Sequence, residues 1–280
     1  MKNLPLVFLV VAALGSVSSV PAQSLLFDFG PTAITTGSSK INSPGHVSAG
    51  ISSSEITWNQ IGTSDVSSGL KYGNNVDATG VAIDLGVETT SASNIIGFTS
   101  QPSNMLQGNN SAYSAGIYAS DAPARDFIYN SANNEPWAIG TRISGLSAGV
   151  YNVYISGANT NAGDAGTMNF FAGSVGAGAT TFDFNAVSTA SATNAPSGSS
   201  SWSEGVNYVV FSISITAVQD LAIAVSGTGT GSGGRGFLNS LELVRTGDIS
   251  SVPEPSVFAG IAGLAGLAAS CMRRKKTSAR

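Results

Sequence analysis

The stretch that decides the fold is Asn207-Tyr208-Val209-Val210-Phe211-Ser212-Ile213-Ser214-Ile215-Thr216, followed after four residues by Leu221-Ala222-Ile223-Ala224-Val225. Every second residue is large and apolar, which places those side chains on one face of an extended strand. They are Val209, Phe211, Ile213 and Ile215 in the first segment, and Leu221, Ile223 and Val225 in the second. Two successive segments with a period of two predict β-strands that bury a continuous apolar face.

The same alternation recurs outward from this stretch, between segments rich in Gly, Ser, Asn and Thr. Roughly ten strands are predicted: 25–30, 55–60, 81–86, 94–99, 126–129, a pair of strand segments within 142–157, 168–171, 181–184, 207–216, 221–225 and 237–244. Segments 32–54 and 186–203 are predicted to be loops, and no helical period is found. The pattern predicts an all-β protein with a single, jelly-roll-like β-sandwich over residues 23–246.

The composition of this body limits its partners. Six basic and 15 acidic residues lie between Gln23 and Ser250, which leaves a net charge of −9. Nucleic acid and anionic lipid surfaces bind clustered Lys and Arg, so neither is an expected partner. The only cysteine of the chain, Cys271, lies outside the body, so no disulfide can stabilise it.

The N-terminal residues have the pattern of a secretory signal peptide. Met1-Lys2 is a short basic region, residues 4–14 are apolar, and Val20-Pro21-Ala22 fits a signal-peptidase site. We expect a signal peptide over 1–22 that signal peptidase cuts between Ala22 and Gln23. An N-terminal anchor that is never removed is the alternative.

The C-terminal residues form a second membrane-directed segment, after a short linker at 247–251. Val252-Pro253-Glu254-Pro255 is followed by an apolar run at 256–272 and then by Arg273-Arg274-Lys275-Lys276. Seventeen helical residues span roughly 25 Å, enough for a thin bilayer. The basic residues stop translocation and keep the C-terminus in the cytoplasm.

This order of motif, apolar helix and basic cluster closely resembles the PEP-CTERM sorting signal of exported proteins from Gram-negative bacteria that make exopolysaccharide. The resemblance covers about 30 of the 280 residues. It implies export across the inner membrane, retention by the C-terminal helix, and recognition of Pro253-Glu254-Pro255 by an exosortase, a membrane protease. The body is then expected at the cell surface or outside the cell, associated with exopolysaccharide and without enzymatic activity.

The body itself resembles the galactose-binding-like jelly rolls, which include many carbohydrate-binding modules. The resemblance rests on Leu146-Ser147-Ala148-Gly149-Val150-Tyr151, on the strand at 221–227 and on Gly236-Phe237-Leu238-Asn239-Ser240-Leu241-Glu242-Leu243-Val244. It implies that exposed aromatic residues contact sugar, and the candidates are Trp58, Trp137 and Trp202. Tryptophans that only cover the edges of the sandwich are the alternative.

No catalytic residue is predicted. His46 is the only histidine, so a histidine metal cluster is excluded, and its turn Ser43-Pro44-Gly45-His46 predicts an exposed loop residue. A structural calcium ion is a candidate cofactor, with Asp121 and Asp126, or Asp164 with Asn159 and Asn161, as ligands. The alternative function is a secreted hydrolase of polysaccharide, which would need two carboxylates close together in one pocket.

Overall fold

The computed structural model describes residues 23–130, 137–161, 166–193, 200–229 and 234–249. Over these residues the chain is mostly β, with two short α-helices, α1 (Gly37–Lys40) and α2 (Pro44–Ser48), and 3-10 turns at Ser111–Tyr113 and Gly116–Tyr118. The strands are β1 (Ser24–Phe29), β2 (Trp58–Ile61), β3 (Ala82–Glu88), β4 (Ile95–Gly97), β5 (Asn104–Gln107), β6 (Asp126–Tyr129), β7 (Ile139–Ser144), β8 (Gly149–Ser156), β9 (Met168–Gly176), β10 (Thr181–Asp183), β11 (Ser188–Ala192), β12 (Val209–Ile215), β13 (Gln219–Gly227), β14 (Phe237–Leu238) and β15 (Ser240–Gly247).

Two sheets form the body of the fold. The first has the order β12-β8-β15-β1-β2 and is antiparallel except for the parallel pair β1 and β2. The second has the order β10-β4-β3-β7-β13-β9-β11 and is antiparallel throughout. A small third sheet, β14-β6-β5, contributes Phe127 and Phe237 to the core.

The main hydrophobic core lies between the two large sheets. Its members come from alternating positions of both, as the period of two predicts. They include Leu25, Phe27 and Phe29 of β1, Val209, Phe211 and Ile215 of β12, Leu221, Ile223 and Val225 of β13, and Leu241 and Leu243 of β15. The prediction of a β-sandwich is therefore confirmed.

Successive strands repeatedly change sheet. β7 and β13 lie in the seven-stranded sheet, whereas β8 and β12 lie in the five-stranded one. The two strand pairs that look like hairpins in the sequence, β7 with β8 and β12 with β13, are therefore crossings between sheets. Such crossings are typical of a jelly roll, but that finer assignment stays a prediction.

The outer faces of both sheets are also covered, which the sequence did not predict. The predicted loop at 32–54 contains α1 and α2, and Ile51 packs with Leu26, Tyr154 and Val244 on the outer face of the five-stranded sheet. β1 is consequently buried on both faces rather than one. The predicted loop at 186–203 likewise contains a strand, β11, at its start.

The predicted signal peptide, the Ala22 side of its cleavage site and the C-terminal sorting signal lie outside the described residues. Within the part of the chain that the structure describes, no helix is long and apolar enough to span a bilayer. The sorting predictions at 252–276 therefore stay predictions.

Candidate functional site

A cavity of about 220 Å³ opens at one end of the sandwich. This end-cavity is formed where β1 begins, where β15 ends and where the chain turns from β7 into β8. It is lined by Gln23, Leu25, Tyr72, Leu146, Ser147, Tyr151, Leu243 and Arg245. Because a water molecule occupies about 30 Å³ of liquid, the cavity has room for about seven.

Strand alternation determines which side chains reach the end-cavity. Leu243 belongs to the core face of β15, so Arg245, two residues later, lies on the same face at the end of the strand. The turn between β7 and β8 brings Leu146 and Ser147 to the opposite wall. That turn needs Gly145, whose φ is +73° and where a Cβ would lie 1.9 Å from the Gly80 carbonyl oxygen.

The inner wall of the end-cavity is apolar and rigid. Leu25, Leu243 and Tyr151 are 2%, 1% and 5% exposed. Tyr151 donates a hydrogen bond from Oη to the Ser147 carbonyl oxygen at 2.6 Å, and burial raises the pKa of its phenol to about 12. The inner end is therefore closed by the main core, and a ligand can enter only from the end of the sandwich.

Arg245 supplies positive charge at the mouth. Its Nη2 donates to the Ala148 carbonyl oxygen at 2.8 Å and to Asp248, which is exposed. Its Nε is buried and has no hydrogen-bond partner. The guanidinium therefore lies between Tyr151, whose pKa burial raises and this charge lowers in part, and the surface carboxylate of Asp248, which holds Nη2.

The lining contains no carboxylate among the described residues. A glycosidase needs two carboxyl groups flanking one bond, and the end-cavity does not provide such a pair. Its chemistry is that of a binding pocket, with two tyrosine rings, three leucines and a few polar groups at the entrance.

The predicted sugar-contacting tryptophans lie elsewhere. Trp58 and Trp202 are half-buried on the outer face of the five-stranded sheet, and their indole N–H groups donate to Lys40 O at 2.9 Å and Asn42 Oδ1 at 3.1 Å. Both therefore hold the segment around α1 against the sheet. Trp137 precedes β7, half-buried, with an indole nitrogen that has no hydrogen-bond partner.

Sequence reasoning missed the aromatic residues of the end-cavity. Tyr151 alternates with Val153 and Ile155, a pattern that predicts a core residue, which it also is. Tyr72 lies in the loop between β2 and β3, where no pattern distinguishes it from other loop residues. A cavity formed by four separate segments leaves no local signal in any of them.

A second polar cluster lies under α2, on the outer face of the five-stranded sheet. Ser43 Oγ lies 2.7 Å from both His46 Nδ1 and Glu242 Oε2, and His46 Nε2 lies 2.9 Å from the Glu55 carbonyl oxygen. The His46 side chain is only 4% exposed and that of Glu242 is 1%. The prediction of an exposed loop histidine was therefore wrong, because α2 docks onto the sheet and covers the ring.

This Ser43–His46–Glu242 cluster does not have the geometry of a hydrolase. In a catalytic triad the acid binds the histidine nitrogen that faces away from the serine. Here Glu242 binds the serine itself, and a backbone carbonyl holds the far nitrogen. Ser43 is completely buried, so no substrate can reach its hydroxyl.

The predicted calcium ligands serve other contacts. Asp121 Oδ2 accepts from Thr36 Oγ1 at 2.5 Å, and Asp126 Oδ2 accepts from the Thr32 backbone at 2.5 Å. Asp121 therefore fastens Thr36 to the loop before β6, and Asp126 fastens Thr32 to the first residue of β6. Asn159 caps the backbone of Asn161, and Asp164 lies outside the described residues. No group of three or more His, Cys, Asp or Glu side chains is arranged for a metal in the part of the chain that the structure describes.

Asp126 also lies close to a second buried carboxylate, Asp28. Burial, and then the charge of Asp126, raise the pKa of Asp28 well above its ordinary value, and burial raises that of Asp126 to about 6. One oxygen of each carboxyl group has no hydrogen-bond partner.

Comparisons with known proteins are distant. No protein-family model matches the chain, and no curated protein matches it. Among solved structures, a Bacillus subtilis protein, YxiM, aligns with 14% identity and a TM-score of 0.36 over 80% of this chain and 40% of that one. An exo-β-1,3-galactanase of Phanerochaete chrysosporium aligns with 14% identity and a TM-score of 0.28 over 51% of this chain and 26% of that one.

A family 35 carbohydrate-binding module of Cellvibrio japonicus aligns with 14% identity and a TM-score of 0.30, over 60% of this chain and 99% of the module. The chain thus spans less than half of the first two structures and nearly all of the third. TM-scores this low establish neither a shared family nor a shared ligand.

Proposed function

We propose that this chain is an exported surface protein whose β-sandwich, jelly-roll-like in its connections, binds polysaccharide outside the cell. The observation that carries the proposal is the pairing of a signal-peptide pattern with the composite Pro-Glu-Pro, apolar and basic tail. Resemblance of that tail to the PEP-CTERM signal links it to exopolysaccharide-producing Gram-negative bacteria. The end-cavity is the proposed site of contact with the polysaccharide.

Three features of the body support this proposal. The core needs no disulfide, since the body lacks cysteine, and a net charge of −9 suits a domain that stays in solution outside the cell. The end-cavity combines tyrosine rings with apolar walls and polar groups at its mouth. The C–H faces of a sugar pack on aromatic rings while its hydroxyl groups bind the polar groups.

The role is proposed to be non-enzymatic. Among the described residues, the end-cavity lacks a carboxylate pair, the Ser43–His46–Glu242 cluster is sealed, and the neighbouring carboxyl groups of Asp28 and Asp126 are only 1% and 2% exposed. None of these sites offers the accessible acid and base that a polysaccharide hydrolase requires.

The test uses isothermal titration calorimetry to measure binding of the full chain, purified in detergent, to exopolysaccharide from the producing bacterium. We expect weak binding that Tyr72→Ala reduces at least fivefold, because half-buried Tyr72 contributes one aromatic wall. Trp202→Phe, which lies outside the cavity, should leave the affinity unchanged. No heat with wild-type protein would overturn the proposal.

A further inference from the structure

We infer that the end-cavity selects an acidic sugar at the end of a polysaccharide chain or branch, with Arg245 as the residue that recognises its carboxylate. The inference rests on the proposed function and adds the class of ligand. The size, the shape and the charge of the end-cavity each restrict the kind of sugar that can bind there.

Size and shape point to a single sugar ring. A volume of about 220 Å³ is smaller than the 300–1,000 Å³ typical of pockets for drug-sized ligands. Because Leu25, Leu243 and Tyr151 close the inner end, a polymer cannot pass through. Only a terminal residue of a chain or side branch can enter.

The lining matches a pyranose ring rather than a small inorganic anion. Leu25, Leu146 and Leu243 present apolar surface, and the rings of Tyr72 and Tyr151 lie among them. A simple anion gains nothing from such walls, since apolar surface only removes its hydration. The C–H groups of a sugar ring gain by leaving water there.

Charge at the mouth points to a carboxylate on that sugar. Arg245 is one of six basic residues in a body of net charge −9, so most of its surface repels acidic polysaccharide. Its guanidinium lies at the entrance with Gln23 and Ser147. A planar guanidinium binds a carboxylate through two parallel hydrogen bonds, which no neutral sugar hydroxyl can match.

Asp248 competes with a ligand carboxylate for Arg245. It pairs with Arg245 Nη2 from three residues further along the chain. The Asp248 side chain is 70% exposed whereas that of Arg245 is 20% exposed, so the acid can leave without exposing a buried group. An exposed ion pair of this kind is weak, and a uronate carboxylate can therefore displace it.

The experiment compares methyl glycosides of galacturonic and glucuronic acid with those of galactose and glucose, by calorimetry on the full chain in detergent. We expect the uronates to bind roughly tenfold more tightly, because hydrogen bonds to a charged group are about twice as strong as neutral ones. Arg245→Gln should abolish this preference. Asp248→Asn should increase uronate affinity about threefold or more and leave neutral sugars unchanged.

Asp183→Asn is the matched control, since it removes one exposed negative charge from β10, in the other sheet. This control variant should change neither the affinity for uronates nor that for neutral sugars. Such a result would exclude a general effect of net charge. If Arg245→Gln does not fold, the gain in Asp248→Asn against its control still decides the question. Equal binding of acidic and neutral sugars would overturn the inference and leave polysaccharide binding intact, whereas no binding of any sugar would overturn both.

Discussion

At the scale of single residues, the Ser43–His46–Glu242 cluster can be understood by counting protons. His46 Nε2 donates to the Glu55 carbonyl oxygen, so Nδ1 of the neutral ring must accept. Ser43 has one hydroxyl hydrogen but lies 2.7 Å from both Nδ1 and Glu242 Oε2. With Glu242 ionised, Ser43 donates to it and must accept from a protonated His46; with both groups neutral, Glu242 donates to Ser43, which donates to His46. Burial raises the pKa of Glu242 to about 7 and lowers that of His46, in agreement with the neutral arrangement.

The stability of the protein should therefore depend on the protonation of Glu242. Because the folded pKa of about 7 lies above the ordinary value of 4.5, its contribution is complete below pH 4.5 and is lost as pH rises to about 7. At 1.36 kcal/mol per pH unit, the loss is roughly 3 kcal/mol. His46 acts oppositely, because folding lowers its pKa. Its contribution to stability is complete above pH 6.5 and is lost as pH falls. Between about pH 4.5 and 6.5 the gain from His46 therefore opposes the loss from Glu242.

Urea denaturation of wild type and Glu242→Gln across pH 4 to 8 tests this prediction. Glutamine keeps a donor for Ser43 but cannot ionise, so its stability relative to wild type should increase steadily from pH 4.5 to 7. Glu204→Gln, at an exposed position, should show a constant difference from wild type. A constant difference for Glu242→Gln as well would show that the buried carboxyl group does not titrate in this range.

Local sequence could not predict these buried acids. Asp28 and Glu242 alternate with apolar residues in β1 and β15, and that pattern indicates a side chain facing solvent. The pattern predicts correctly that these side chains lie on the outer face of the sheet. Residues 31–57 cover that face, however, and the sequences of the strands do not show this. The same limit explains His46, whose burial depends on a sheet strand almost 200 residues away.

At the scale of elements, α2 shows why the covering segment folds as it does. Five residues cannot form a stable helix alone, and the side chain of the N-cap residue, Ser43, does not cap the helix. Glu242 accepts from the Gly45 backbone at 3.1 Å instead. A Cβ at Gly45 would lie 2.5 Å from Glu242 Oε2, so only glycine permits this approach. Contact with the sheet, rather than intrinsic helix propensity, therefore stabilises α2.

Strand β12 provides a test of the alternation on which the fold prediction depends. Phe211 is 7% exposed and packs in the main core, while Ser212 is exposed on the other face. Phe211→Ala should cost about 2 to 5 kcal/mol of unfolding free energy, through lost burial and a residual cavity. Ser212→Ala should change it by less than about 0.5 kcal/mol. Denaturant melts of both variants check this, and near-equal losses would mean that the strand is turned the other way.

The positions of the strands could be predicted better than the pairing between them. Long alternating segments such as β8, β12 and β13 were found because apolar side chains mark their inner faces. β5 and β11, with sequences Asn-Met-Leu-Gln and Ser-Thr-Ala-Ser-Ala, bury little and carry no such mark. Sheet membership depends on pairing between distant strands, so the crossings at β7–β8 and β12–β13 were not evident from short connections.

At the scale of the whole molecule, the two ends of the body lie together. Ser24 at the start of β1 pairs with Val244 near the end of β15, beside the end-cavity. Eight residues separate Gly247 from Pro255, and an extended chain of that length reaches at most about 28 Å. A body still attached to the predicted membrane helix would thus hold its binding end close to the bilayer, and cutting would free it.

The last prediction concerns this processing step. The sequence predicts that the two prolines around Glu254 disfavour a helix, which would leave the motif extended for a protease just outside the membrane. We expect wild-type protein to be cut and released, and Glu254→Ala to leave a longer form in the membrane fraction of the producing cells on an immunoblot. Glu204→Ala, which removes a surface charge from the body, should be processed normally. If the proposed function also holds, the retained form should bind exopolysaccharide less well than the released form. Wild-type protein that stays at full length in a strain with an active exosortase would make the tail a plain anchor.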